Sequence, residues 1–356
     1  MNVPPKVVCE KPAVPTLWLD TSAIIKLTKI ARGEALQQIE VERLTRLRTL
    51  IEELTSAGKL LCPQADQEEE YVAQRLDREV HGDFLVLSLG IRLRHRQGVF
   101  DYHVQLGMKA YVQKAEEIRI GADTFFHGDP VAELQRARAY PFVIGTNPLK
   151  DDELIARQAA AKLEVQKLWE QLRQEFVAEK KTYERQLQEE EHGYADALVL
   201  KLHEFGRSIA EGRSNFWDFM GVQGALFYKL YWKELGGQPL GIDGLHEFFC
   251  SRYFNNLPIT RVHSQLGAEL LTGNQPILPG DMMDVELMGV AIPRSSLRAD
   301  RQEDVGTNKK ARDRQRMEYG ALFDGRHRRL VRLACGIALN ETFLAPSQRP
   351  KGKSLP

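Results

Sequence analysis

The sequence is poor in cysteine, with four in 356 residues at Cys9, Cys62, Cys250 and Cys335. They lie 53, 188 and 85 residues apart, with no C-x-x-C pair and none at zinc-finger spacing from a histidine. That excludes a disulfide framework and predicts reduced thiols in a cytoplasmic protein. No stretch approaches 18 consecutive apolar residues, so neither a membrane span nor membrane association is expected. The N-terminal stretch is broken by prolines and offers no hydrophobic segment long enough for a signal peptide. Also missing is an excess of charge: 49 Lys and Arg balance 49 Asp and Glu, a formal net charge of 0. A globally basic nucleic-acid binder is thereby excluded, although segregated charge is not. The P-loop, the G-x-G-x-x-G turn, the G-x-S-x-G elbow and the H-E-x-x-H zinc motif are all absent. Their absence argues against an NTPase, a dinucleotide enzyme, a serine hydrolase of that type and a zincin.

What is present suits a folded chain, at 43 % hydrophobic and 28 % charged residues. Thr16–Leu19 reads as a buried strand, and the following Asp20-Thr21-Ser22 opens a helix that Thr21 or Ser22 can cap. Leu36, Ile39, Leu44, Leu47, Ile51 and Leu54 recur at helical spacing, with Gly58 where a C-terminal stop belongs. Lys59–Pro63 reads as a second strand, and a polar helix is expected to begin near Asp66. Strand, helix and strand in this order predict a parallel α/β sheet. Asp151–Glu191 contains no glycine or proline and reads as one long helix with Val165, Trp169, Leu172, Phe176, Tyr183 and Leu187 on one face. Residues 194–272 read as helical, interrupted at Gly236–Pro239 and at Pro258. After Pro279 a short helix over Asp281–Ala291 and a strand over Ser295–Asp300 are expected.

Carboxylates stand at the ends of these elements, where α/β proteins place their sites. Asp20 ends the first strand, Glu68, Glu69 and Glu70 follow the second, Asp281 and Asp284 share a helix face, and Asp300 ends the last strand. Converging carboxylates repel one another unless cations neutralise them, and oxygen-only ligands select magnesium or manganese over zinc. Each residue has a plainer role open to it. Asp20 fits a helix cap, the glutamates a solvated face, Asp281 and Asp284 a capping box, and Asp300 a turn.

The order of these pieces resembles the PIN-domain nucleases. Leu17–Leu27 (LWLDTSAIIKL) resembles their first strand, and Lys59–Tyr71 (KLLCPQADQEEEY) their second strand and acidic helix. Gly280–Asp300 (GDMMDVELMGVAIPRSSLRAD) resembles their third and fourth acidic positions. The resemblance implies catalytic and metal-binding roles for Asp20, Glu70, Asp284 and Asp300. Asp281 would be a supporting ligand and Glu69 the alternative to Glu70. It also implies a PIN-like α/β fold, a parallel sheet flanked by helices. That core is discontinuous, at 15–80 and 275–345, around a mostly helical insertion at 81–274 and before a disordered tail at 346–356. Typical members carry Thr or Ser two residues before the fourth aspartate, where this sequence has Arg298.

The resemblance implies a Mg2+- or Mn2+-dependent endoribonuclease, of the toxin or defence-effector kind, with RNA, single-stranded or structured, as partner. Residues 309–332 carry nine basic and three acidic side chains, a local charge of +6. Lys309, Lys310, Arg312, Arg314, Arg316, Arg326, Arg328 and Arg329 are its candidate phosphate contacts, the alternative being a solvated helix face. Arg92, Arg94, His95 and Arg96 form a smaller basic cluster. Phe216–Trp232 holds seven aromatics, read as the core of the helical insertion before base-stacking groups. The competing function is a non-catalytic PIN-like scaffold that binds a protein or RNA partner, or an inhibitor, through the helical insertion. A homo-oligomer is compatible with either. A phosphohydrolase with Asp20 as nucleophile fits less well, because no second aspartate follows two positions on.

Overall fold

The computed structural model describes residues 4–19, 21–34, 38–65, 78–139, 152–278, 281 and 285. The described chain is mostly helical with a two-stranded parallel sheet. Strand β1 (Lys6–Cys9) is followed by helices α1 (Thr21–Ala31), α2 (Gln38–Ser56), α3 (Arg78–Ser88) and α4 (Arg96–Gln113). Strand β2 (Glu117–Ile120) leads to α5 (Pro130–Ala139), α6 (Asp152–Ala178), α7 (Tyr183–Ala210) and α8 (Phe216–Glu234). Helices α9 (Ile242–Phe249), α10 (Arg252–Asn255) and α11 (Pro258–Thr272) complete the order.

β1 pairs with β2 in parallel, Lys6 opposite Glu117 and Cys9 opposite Ile120. Three further extended segments pair more briefly. Leu17 N–H donates to Leu61 O and Leu61 N–H to Pro15 O, both at 2.8 Å, making a parallel bridge between Thr16 and Leu61. Gln64 N–H donates to Ile91 O at 2.9 Å and Leu93 N–H to Gln64 O at 2.7 Å, a second parallel bridge. The parallel pairing expected of residues 16–19 and 59–63 is therefore present, but as single bridges rather than long ladders. Pro15 and Pro63 lie in these segments and remove ladder donors, which accounts for the brevity. The pairing also runs past residue 80, through Ile91–Leu93 and β2.

These segments lie between two cores. Successive residues of an extended chain point to opposite faces, and Leu61 joins one hydrophobic cluster while Cys62 joins the other. The smaller cluster gathers Leu19, Ile24, Leu27, Leu44, Ile51, Phe84 and Leu87 under α1, α2 and α3. The larger one holds Ile91, Leu93, Val104, Ile120 and Phe126 together with Tyr228, Trp232, Phe248, Phe249 and Phe254.

Local chemistry sets the helix ends. Lys59 N–H donates to Leu54 O and Gly58 N–H to Thr55 O, while Gly58 has φ +71°. That is a Schellman ending, and the left-handed residue is the glycine that the sequence offered as a stop. Pro258 stands in the first turn of α11, where its missing N–H costs nothing. At the turn after α8, a Cβ on Gly244 would meet Pro239 O at 1.8 Å, so only glycine lets α9 close on the loop that caps Trp232.

The single helix expected over 151–191 is corrected. α6 stops at Ala178 and α7 starts at Tyr183. Lys180 adopts φ +50°, Lys181 N–H donates back to Phe176 O, and the Thr182 side chain accepts from Arg185 N–H. The helix ends in a left-handed turn without glycine and restarts on a threonine cap. Lys181, paired with Glu179 at 3.2 Å and Glu189 at 2.8 Å, holds the turn. Of the stripe read on this stretch, Trp169 is buried, whereas Val165 and Leu172 are each 37 % exposed.

Candidate functional site

The parallel bridges set the C-terminal ends of residues 16–19, 61–64 and 91–93 toward one edge of the molecule. In open α/β structures such an edge is the place for a site. Leu19 and Thr21 are both buried there, and Thr21 begins α1. Gln64, 2 % exposed, accepts from Arg92 Nε through Oε1 at 3.0 Å. Arg94 Nε donates to Phe126 O at 2.6 Å, and Arg94 N–H donates to Phe125 O. His95 caps α4, its Nδ1 accepting from Gln97 N–H at 3.2 Å. The small basic cluster thus begins as structural hardware, with these nitrogens joining the edge to the chain around Phe126.

Asp20, Glu69, Glu70, Asp284 and Asp300 lie outside the described residues, as do Lys309, Lys310, Arg312, Arg314, Arg316, Arg326, Arg328 and Arg329. Arg298, the expected elements after Asp281 and the proposed tail lie outside them too. Asp281 is the one candidate ligand among the described residues. Its Oδ2 accepts from Leu278 N–H at 2.8 Å and its own N–H donates to Leu278 O at 3.1 Å. Asp281 thus closes back on Leu278, three residues before it, as the inner member of a cap; the capping box expected with Asp284 lies outside the described residues. Asp281 also acts on Arg173, whose guanidinium burial lowers below its ordinary value while Asp281 and Glu170 pull it up. Arg173 in turn donates to Leu270 O and Gln275 O and fastens α6 to the end of α11 and the segment after it. Among the described residues no group of three His, Cys, Asp or Glu is placed to hold a metal ion.

Compared with family models, curated proteins and solved structures, the chain matches none. The functional reading therefore rests on its own residues. Among the described helices, none is long and apolar enough to cross a membrane.

Two polar constellations escaped the sequence reading. His246 Nε2 lies 3.0 Å from Asp196 Oδ1, and Cys250 Sγ lies 3.8 Å from the same nitrogen. His246 and Cys250 are four apart on one helix turn, a spacing visible in the sequence, but Asp196 comes from α7 and only tertiary packing brings it in. Burial and the Asp196 charge both push the Cys250 thiol up, so it stays protonated and is not a poised nucleophile. Cys62 is fully buried and its thiol is pushed up to about 12, which makes it inert. The second constellation is Tyr228 donating to Asp101 Oδ1, to which Gln97 Nε2 also donates at 2.8 Å. Burial raises both Tyr228 and Tyr194, so the phenols remain donors and tie α4 to α7 and α8. This network is structural.

Proposed function

We propose that the protein is a divalent-metal-dependent ribonuclease of PIN-like type. The observation that carries this reading is the parallel bridge between Thr16 and Leu61. It supports a first and second segment ending at one edge, with Asp20 and the Glu68–Glu70 run following each in sequence. The donor set of Asp20, Glu69, Glu70, Asp281, Asp284 and Asp300 is all carboxylate oxygen, which fits magnesium or manganese and not a soft metal. When bound, such a cation offsets the charge of the scissile phosphate and lowers the pKa of attacking water.

The chain's own residues carry the rest. Asp20, Glu70, Asp284 and Asp300 would hold the cation, with Asp281 as a supporting ligand. Lys309–Arg329 supplies positive charge for an RNA backbone, whose phosphates dominate affinity. The reading needs no histidine base and no nucleophilic thiol, in keeping with the protonated Cys62 and Cys250.

The test incubates the full chain with RNA or DNA, with manganese, magnesium or chelator. RNA cleavage is expected with metal and lost with chelator. Asp20→Asn and Asp284→Asn should each lower the rate by roughly 100-fold or more, at unchanged circular dichroism. Full activity in both variants would sink the assignment. RNA or protein binding without any cleavage would favour the scaffold instead.

A further inference from the structure

The third extended segment alternates apolar and basic residues over 91–94 and then enters α4. Ile91 and Leu93 are buried in the larger core, so Arg92 and Arg94 turn to the opposite face. Each guanidinium is fixed at Nε, Arg92 by Gln64 Oε1 at 3.0 Å and Arg94 by Phe126 O at 2.6 Å. Arg92 is exposed, and no described residue accepts from the terminal nitrogens of Arg94. Residues 84–100 hold three arginines and no acidic residue. The positive end of α4 adds to this field, with no acidic residue in its first turn. A Cβ built on Gly98 in that turn would meet nothing within 4 Å, so the space over it is open.

Gln64 sets these arginines apart from an ordinary solvated patch. It is 2 % exposed, and its Nε2 is buried without a hydrogen-bond partner among the described residues. Turning the amide over would aim its N–H groups at the N–H of Arg92, donor on donor, so the orphan is not a matter of orientation. A buried donor without an acceptor costs stability, and an apolar side chain of the same length carries no such cost. What the glutamine supplies instead is a guanidinium held in one direction.

We propose that Arg92 and Arg94 clamp successive phosphates of a single-stranded RNA, with Gln64 as the positioning residue of Arg92. A planar guanidinium held at Nε keeps its fork in one orientation, and a fork matches phosphate oxygens two at a time. Two residues apart on one face of an extended segment, the arginines stand about 7 Å apart. That is close to the separation of successive phosphates in an extended single strand. The place of the clamp rests on the nuclease reading. Gln64 ends the segment that precedes the glutamates at 68–70, and the same segment pairs at Leu61 with the one that precedes Asp20.

Binding of fluorescein-labelled oligo(U) to the full chain is measured with chelator, so that no cleavage intervenes, over a series of salt concentrations. Arg92→Gln and Arg94→Gln should each lower the slope of log K against log salt by about 0.7, a loss of roughly 5-fold at about 0.1 M salt. Oligo(dT) should lose as much, because a phosphate contact carries no base information. If Arg94→Gln lowers the urea midpoint, Arg92→Gln, at an exposed side chain, carries the test. Gln64→Met should weaken oligo(U) binding while its urea midpoint is unchanged or raised. Unchanged binding in Gln64→Met, or a lowered midpoint, overturns its positioning role. Arginine variants that bind like the parent chain overturn the clamp, as does a parent chain that does not bind oligo(U). A loss confined to oligo(U) overturns the phosphate assignment. The nuclease reading is measured apart, as manganese-dependent cleavage by the unaltered chain. Cleavage with indifferent arginine variants keeps the nuclease and removes the clamp, and clamped RNA with no cleavage does the reverse.

Discussion

Around Leu19, Ile24, Leu27 and Phe84 the core is mainly aliphatic, and α1, α2 and α3 are tied together by one arginine. Arg48 reaches Asp83 with both terminal nitrogens, at 3.0 and 3.2 Å, Glu52 with Nε at 2.8 Å and Leu27 O at 3.3 Å. Around Tyr228, Trp232 and Phe248 the core is aromatic, with Phe248 facing Tyr111, Trp232, Phe249 and Phe254 at centroid distances of 5.8, 6.0, 5.0 and 5.9 Å. The first region has mostly aliphatic side chains and a directional polar staple. The second gains from large rings, whose edge-to-face contacts add to their burial. The smaller region sits at the edge where the proposed site belongs, and a bidentate staple fixes helix positions there more tightly than aliphatic packing alone.

The largest expected effect comes from removing a ring. Phe248 is fully buried, and Phe248→Ala should cost about 3–5 kcal/mol in denaturant unfolding. If the two clusters are energetically distinct, amide exchange in α8–α11 should accelerate more than exchange in α1–α3. Equal acceleration in both would dissolve the comparison.

Breaking the staple is the intermediate case. The Arg48 and Asp83 side chains keep 18 % and 23 % exposure, so the pair is neither a solvated surface bridge nor a buried one. Arg48→Met keeps the aliphatic stem and removes the fork, and should cost about 1–3 kcal/mol, between the two limits. Its effect should concentrate in α1, α2 and α3. A loss below a few tenths of a kcal/mol would mean that the aliphatic cluster alone positions these helices.

The two regions also differ in how far the sequence discloses them. The extended segments at 16–19 and 59–63, α2 and its Gly58 stop follow from local period and punctuation, as do the Gly236–Pro239 loop and the start at Pro258, whereas the paired strands β1 and β2 were not read from the sequence. The break at 179–182 does not. It uses a lysine in the left-handed conformation and a threonine cap with arginine, not glutamate, three residues on, so no capping box advertises it. The outward face of α8 is hidden for a related reason. The sequence places the aromatics of this helix in the core. Tyr228 and Trp232 are there, but Phe219 and Phe227 are each 46 % exposed. Apolar residues stand on both the buried and the exposed side of α8, so their pattern does not say which face meets the core. Within the candidate site, the order of segments was legible from the βα pattern. The contact of Asp281 with Leu278 was not read from the sequence, which paired it with Asp284, and the approach of Asp196 to His246 depends on α7 packing against α9.

The smallest expected effect lies where α6, α7 and α11 meet. A Cβ on Gly267 would stand 3.4 Å from both Glu190 Oε2 and the Trp169 ring, so this carboxyl is enclosed by close-packed helices. Burial raises Glu190 above its ordinary value of 4.5, against the hydrogen bond from Gln186 and with the aid of the Glu189 charge. The folded state therefore holds the proton more tightly than the unfolded state does. The resulting stability is full below about pH 4.5 and is lost as pH rises through the folded value. Glu190→Gln mimics the protonated form, so it should stabilise the protein at pH 7 and change little at pH 4. His263 on α11, which burial lowers, weakens the fold in the opposite sense on acidification. It is common to both proteins and cancels in their difference. Urea midpoints of the two proteins measured from pH 4 to 7 should diverge steadily with rising pH. Parallel profiles would mean that Glu190 is solvated well enough to ionise freely, and that this junction is open to water rather than closed by Gly267.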